Sequence, residues 1–317
     1  MMSKKAYLQI SFAWLFALVV GAFILFLAIF GASKLIGVGQ EVQDAKTGKE
    51  IGILLNPLET SFETGKTTFL TMPVDTRIFN KCTLGGGGGF GRQIIQISQK
   101  SFGEWTQTNI DVGFSNKYIF SEVPSEGKKF YLFSKPFEFP FKVTDLIYIT
   151  SADKNYCFTG NVPEEIADEL SFLGQANLFV NNCTGLNPDN TIEVCFTGSG
   201  SGCDIQVQYG NEGLVTKNGK TTRFSGDALM YASIFSEPDL YECQLQRIMQ
   251  RTSNLALLYK DKGAFVSRIE CNSNLNSDLL SLSSMSKNLN NSLELGRLGL
   301  TTDRIKQKND LANCKLF

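Results

Sequence analysis

Apolar residues run from Ala6 to Ser33 without a single charge. The stretch includes Phe12–Val20 and Ala22–Phe30, both almost wholly hydrophobic. A helix rises about 1.5 Å per residue, so roughly 20 such residues cross the hydrocarbon core of a bilayer. The pattern predicts an N-terminal transmembrane helix over residues 6–33, in contact with membrane lipid. Tyr7 and Trp14 fall where interfacial aromatics sit, and Lys4 and Lys5 place the N-terminus on the cytoplasmic side. A cleaved signal peptide is the competing reading, but its apolar region is shorter, about 7–15 residues.

Beyond the anchor the periodicity changes. Gly37-Val38-Gly39 predicts a break in the helix, and the polar run Gln40–Glu50 reads as a linker. Ile51–Leu55 reads as a strand stopped by Asn56-Pro57, and Gln93–Ile97 and Lys129–Phe133 are apolar runs of strand length. Phe137, Phe139, Phe141 and Val143 alternate with polar residues and Pro140, which predicts one buried strand face with a proline at an edge or bulge. Leu146–Ile149, Thr191–Phe196 and Asp204–Tyr209 also read as strands. Asn218-Gly219 between Lys217 and Lys220 predicts a tight hairpin turn, because both residues tolerate positive φ.

Helical spacing appears at Pro163–Leu173, with Ile166, Leu170 and Leu173 on one face. A second helix starts near Ser236, which is placed to cap it, with Asp239 three residues on and Phe235 placed to pack on Leu240. Tyr241, Leu245, Ile248 and Met249 share its buried face, and Cys243 falls off that face. From Asp278 onward the chain reads as polar helix. The expected fold is α+β: an N-terminal transmembrane helix, then a β-rich, disulfide-braced ectodomain with C-terminal helices. Its expected divisions are an anchor (1–36), a juxtamembrane linker (37–50), a β-rich region (51–150) and a mixed α/β region with C-terminal helices (151–317).

Cysteine usage decides the compartment. Cys82, Cys157, Cys183, Cys195, Cys203, Cys243, Cys271 and Cys314 all follow the anchor, and an even number there fits an oxidising space outside the cytoplasm. Cys195 and Cys203 flank a short Gly/Ser-rich loop and are expected to pair. A disulfide at Cys314 would hold the C-terminal residues. No C-x-x-C spacing suggests zinc. Asn182 and Asn290 open N-x-[ST] triplets and are candidate glycosylation sites.

Composition removes several chemistries. The 317 residues contain no histidine, which excludes Ser-His-Asp and Cys-His catalysis and histidine metal sites. Lys+Arg is 30 against Asp+Glu 31, which leaves no basic footprint for nucleic acid. Gly65-Lys66-Thr67 lacks the glycine that a phosphate loop needs five residues earlier, where Thr60 stands. Gly85–Gly89 reads as a mobile loop beside Cys82, and Glu164, Glu165, Asp168 and Glu169 as a solvated helix face. Tyr156–Gly160 and Val194–Gly198 share a Cys-Phe-Thr-Gly sequence. No catalytic residue, cofactor or metal is assigned.

The opening Lys4-Lys5-Ala6-Tyr7-Leu8-Gln9-Ile10-Ser11-Phe12, running into a long apolar helix, resembles archaeal type IV pilin-like proteins. It is also similar to archaeal single-pass proteins that open with Gln-Ile-Ser-Phe. The pilin resemblance covers about the first 35 residues. It implies cleavage of a leader near Lys5-Ala6 and a helix that packs in a filament. Tyr7 beside the cut and the expected helix break after Lys34 depart from that pattern. The leading expectation is a single-pass, extracytoplasmic interaction or envelope-assembly protein with a protein partner or self-assembly. A pilin-like subunit and a membrane-tethered, histidine-free hydrolase are the alternatives; an enzyme is the less favoured class.

Overall fold

A computed structural model of the chain describes residues 12–54, 67–85, 89–101, 103–105, 111–196, 202–269, 271 and 273–317. Helix α1 spans Phe12–Leu54, 43 residues without interruption. Its segment Phe12–Ala32 is 21 residues long with a mean hydropathy of 2.8, and none of it is buried. The helix does not break at Gly37-Val38-Gly39, and residues 37–50 and 51–54 are helical rather than linker and strand. A helical glycine costs only about 1 kcal/mol against alanine. No proline lies between Phe12 and Leu54, and Glu, Gln, Ala and Lys populate Gln40–Glu50. Helix α1 meets two strands of the first sheet, β2 and β4. Those strands are Arg92–Ser101 and Val112–Phe114.

The first sheet also contains β1 (Thr67–Thr83), β3 (Glu104–Trp105), β5 (Ile119–Ser121), β6 (Ser125–Glu138) and β7 (Lys142–Ser151). Its order is β3-β2-β1-β6-β7-β5, with β4 on β2. The sheet is strongly curled. Ile78, Ile95, Ile97, Ile119, Phe130, Leu132, Ile147 and Ile149 from five strands form one buried cluster inside the curl. The edge strand β5 comes back to β1 and β2, and side-chain amides bridge the gap. Asn80 Nδ2 donates to Ile119 O at 2.9 Å, and Ile119 N donates to Gln93 Oε1 at 3.1 Å.

The aromatic run 137–143 is not one strand. β6 ends at Glu138, a turn with a cis Phe139–Pro140 bond follows, and β7 starts at Lys142. All of Phe137, Phe139, Phe141 and Val143 are nonetheless buried, because the turn folds onto the core instead of into solvent. Phe141 packs on Tyr259 and Phe317, with ring centroids 4.5 and 5.5 Å away.

The second sheet has the order β13-β12-β11-β10-β8-β9. Its strands are β8 (Asn155–Gly160), β9 (Leu178–Val180), β10 (Thr191–Phe196), β11 (Ile205–Gln208), β12 (Glu212–Lys217) and β13 (Lys220–Ser225). Strands β9, β8, β10 and β11 run parallel, and β11, β12 and β13 form an antiparallel meander. The β12–β13 turn has Asn218 at φ 53° and Gly219 at φ 71°, as the Asn-Gly pair predicts. Cys157–Gly160 and Cys195-Phe196 of the two Cys-Phe-Thr-Gly copies fall on neighbouring strands, with Cys195 opposite Thr159, and Thr197 and Gly198 lie outside the described residues.

Helix α2 (Glu164–Phe172) connects β8 to β9, with Ile166, Leu170 and Leu173 buried as their spacing predicts. Helix α3 (Gly226–Phe235) is apolar all round, and residues 228–235 are all buried. Such a helix belongs inside a core. It lies between the two sheets. Phe133 and Tyr148 of the first sheet reach Tyr231 and Phe235 of α3, and Tyr156 and Phe158 of the second sheet reach Phe235 from the other side. One continuous cluster therefore joins residues from both sides of position 150.

Helix α4 (Pro238–Val266) follows, then α5 (Asn276–Lys287) and α6 (Leu295–Leu311). Tyr241, Leu245, Ile248 and Met249 are fully buried. Ser236 does not cap α4. Its hydroxyl donates back to Ala232 O at 2.6 Å, because the residue ends α3, and Pro238 opens α4 instead. Phe235 is taken up by the aromatic core of α3.

Candidate functional site

Four disulfides pair the eight cysteines: Cys82–Cys243, Cys157–Cys183, Cys195–Cys203 and Cys271–Cys314. Cys243, off the buried face of α4, reaches the end of β1, where the Cα atoms are 6.1 Å apart. Cys195–Cys203 closes the short loop that its flanking spacing suggests. Cys271–Cys314 holds the C-terminal residues, where Leu316 N also donates to Asn309 Oδ1 at 2.7 Å. Cross-links this numerous suggest an oxidising compartment. An apolar helix of membrane-spanning length precedes them.

The acidic face of α2 is only partly solvated. Glu164, Glu165 and Asp168 are exposed, but Glu169 is half-buried. Lys135 Nζ, from β6, lies 2.8 and 2.6 Å from the two Glu169 carboxylate oxygens and 3.5 Å from Asp227 Oδ2 on α3. Tyr231 donates to Glu169 Oε2 at 3.0 Å, and Tyr209 donates to Glu165 Oε1 at 2.5 Å and to Asp227 Oδ1 at 3.2 Å. Burial, followed by the negative charge of Glu169, holds the Tyr231 hydroxyl far above its ordinary range. Burial and the bond to Glu165 do the same at Tyr209. Both tyrosines therefore stay protonated donors. Three carboxylates here face one ammonium and two phenols, so the group ties α2, α3 and β6 together and presents no activated nucleophile.

A second polar group lies between α4 and the open side of the curled sheet. Arg247 is 1% exposed. Its Nε donates to Phe90 O at 3.0 Å, Nη1 to Lys117 O at 3.0 Å and Gln244 Oε1 at 2.6 Å, and Nη2 to Ser115 O at 3.0 Å. Gln244 in turn bonds Gln93, which bonds Asn80. Burial lowers the Arg247 pKa, and carbonyl oxygens supply the compensation. Cys243, Gln244 and Arg247 form a strip on one side of α4, and its 3.6-residue period is the sequence signal that groups them. The Lys135 group carries no comparable sequence signal, since its members come from β6, α2, α3 and the end of β11.

A half-open cavity of about 510 Å³ lies where α4, the start of α5 and the C-terminal residues meet. Its rim carries Lys260, Ser273, Asn276 and Ser277, and its floor Leu279 and Leu316. No carboxylate lines it, whereas Lys260 and the serines Ser267, Ser273 and Ser277 do. Lys260 Nζ lies 3.1 Å from Asp261 Oδ1. Among the described residues no cluster of three or more Cys, Asp or Glu is arranged to hold a metal ion.

No protein-family model matches the chain, and neither a curated protein nor a solved structure does. Thr67 opens β1 as an extended residue, whereas Gly65 and Lys66 lie outside the described residues. So do Gly86, Gly87 and Gly88, at the centre of the glycine run. Asn182 and Asn290 are both exposed, but their triplets are engaged very differently.

Proposed function

We propose that this is a single-pass membrane protein whose disulfide-braced domain lies outside the cytoplasm and binds a protein partner or helps assemble an envelope structure. The observation that carries this reading is the joint presence of Phe12–Ala32, apolar and unburied, and four cross-links in the domain that follows. Protease treatment of sealed membranes from the cytoplasmic face tests the topology. Protection of the fragment from residue 67 onward is expected, and its digestion would overturn the reading.

A pilin-like structural subunit is the second reading, and α1 favours it. The helix runs unbroken to Leu54, so the break after Lys34 that separates the sequence from the pilin pattern is removed. N-terminal sequencing of the mature protein separates the two readings. A mature chain that starts at Ala6 supports the subunit, and an intact Lys4-Lys5 opposes it.

A further inference from the structure

Two acceptor triplets, Asn182-Cys183-Thr184 and Asn290-Asn291-Ser292, occur in the chain, and the fold treats them unequally. An N-glycan needs an exposed asparagine amide and a hydroxyl two residues on that is free to engage it. Asn182 follows β9 in an exposed turn, where Asn181 has φ 58°. Thr184 is exposed, and its hydroxyl donates to Asn182 Oδ1 at 3.2 Å. The middle residue, Cys183, is anchored to Cys157 on β8, so the turn is presented from a fixed base.

The second triplet is spent on the fold. Ser292 is fully buried. Its hydroxyl donates to Glu242 Oε1 at 2.5 Å and accepts from Arg223 N at 3.0 Å. Asn290 O accepts from Gln246 Nε2 at 2.6 Å, and Asn291 Oδ1 accepts from Leu293 N at 3.1 Å to cap the following 3-10 turn. The hydroxyl that would act on Asn290 therefore points into the junction of β13, α4 and the entry to α6.

We infer that Asn182 is the N-glycan attachment site of this protein and that Asn290 stays unmodified. The donor is a lipid-linked oligosaccharide pyrophosphate. The Asn182 amide nitrogen attacks the anomeric carbon of the first sugar. A C–N bond forms, the C–O bond to the pyrophosphate breaks, the lipid pyrophosphate leaves with the electron pair, and the amide loses one proton. The inference rests on the extracytoplasmic reading of the domain.

The full chain, translated into glycosylation-competent microsomes, tests it. One mass increment sensitive to peptide N-glycosidase is expected, abolished by Asn182→Gln and by Thr184→Ala and retained in Asn290→Gln. Lys220→Thr completes a third triplet at Asn218, in the exposed β12–β13 turn, and serves as a translocation control expected to add a second increment. An increment from Lys220→Thr with none from Asn182, or a glycopeptide at Asn290, overturns the site assignment. No increment in any variant, Lys220→Thr included, overturns the extracytoplasmic reading and the site with it.

Discussion

Cys243 and Arg247 stand one turn apart on α4 and grip the same hairpin at two points, Cys82 by a disulfide and Phe90 O by a 3.0 Å hydrogen bond. Between them Gln244 continues into the amide chain that closes the gap of the curled sheet. Covalent and polar links thus coincide along one edge of α4. Truncating Arg247 would leave several buried carbonyl acceptors unpaired, each costing about 1–3 kcal/mol. Arg247→Met is expected to destabilise the domain by about 3 kcal/mol or more, read from the urea midpoint of unfolding. A loss below about 0.5 kcal/mol would contradict this account.

The disulfides should rank by the loops they close. Cys82–Cys243 spans 161 residues and Cys195–Cys203 spans 8. Chain entropy assigns about 5 kcal/mol to the first and about 2.5 kcal/mol to the second. Replacing each pair by serine in turn is expected to reproduce that order in urea unfolding. Equal losses would show that the long cross-link acts on the native state instead.

Lys135 and Glu169 are both largely shielded from solvent, with side chains 16% and 21% exposed. A charge-assisted bond of this kind couples its partners by about 1–3 kcal/mol. A double-mutant cycle with Lys135→Met and Glu169→Gln is expected to give a coupling in that range. Urea unfolding of the four proteins reads it, and a coupling near zero would contradict this account.

Asp145 gives a pH signature. Burial raises its carboxyl above the usual 3.8, against the opposing pull of Lys142, 2.9 Å away. Its folded state holds the proton more tightly than the unfolded chain does. The resulting stabilisation is fully present below pH 3.8 and is lost as pH rises through the folded value. Asp145→Asn removes this slope. The variant is expected to gain on the wild type as pH rises through that window, measured by thermal unfolding across a pH series; a constant difference would refute the assignment.

Helix α1 can be tested at its glycines. Gly39→Ala is expected to preserve or raise amide exchange protection in Gln40–Leu54, and Gly39→Pro to lower it. A helix that ended at Gly37 would leave protection there unchanged in both.

Much of this fold was legible where signals are local. The spacing of Ile166, Leu170 and Leu173 gave α2, Asn218-Gly219 gave the β12–β13 turn, and Tyr241 to Met249 gave the buried face of α4. Where the chain reverses or continues against local preference, the reading failed. Alternation from Phe137 to Val143 looks like a strand although Pro140 turns the chain, because a buried turn and a buried strand face both demand apolar residues. Gly37 and Gly39 suggested a break, but two glycines cost too little to end a helix that meets β2 and β4. The Lys135 group was illegible for a different reason. Glu165 and Glu169 read as an ordinary solvated face, and only packing brings Lys135, Tyr209 and Asp227 to them.

The unbroken course of α1 sets how the domain is carried. A flexible 14-residue tether would let it wander over roughly 20 Å in every direction. The helix instead continues 22 residues past Ala32, about 33 Å, and α1 makes its own contacts with β2 and β4. On the proposed reading, with the apolar half in lipid, those contacts fix the heading of the sheet to the bilayer. On that reading, a sideways load on the domain becomes a tilt of its anchor.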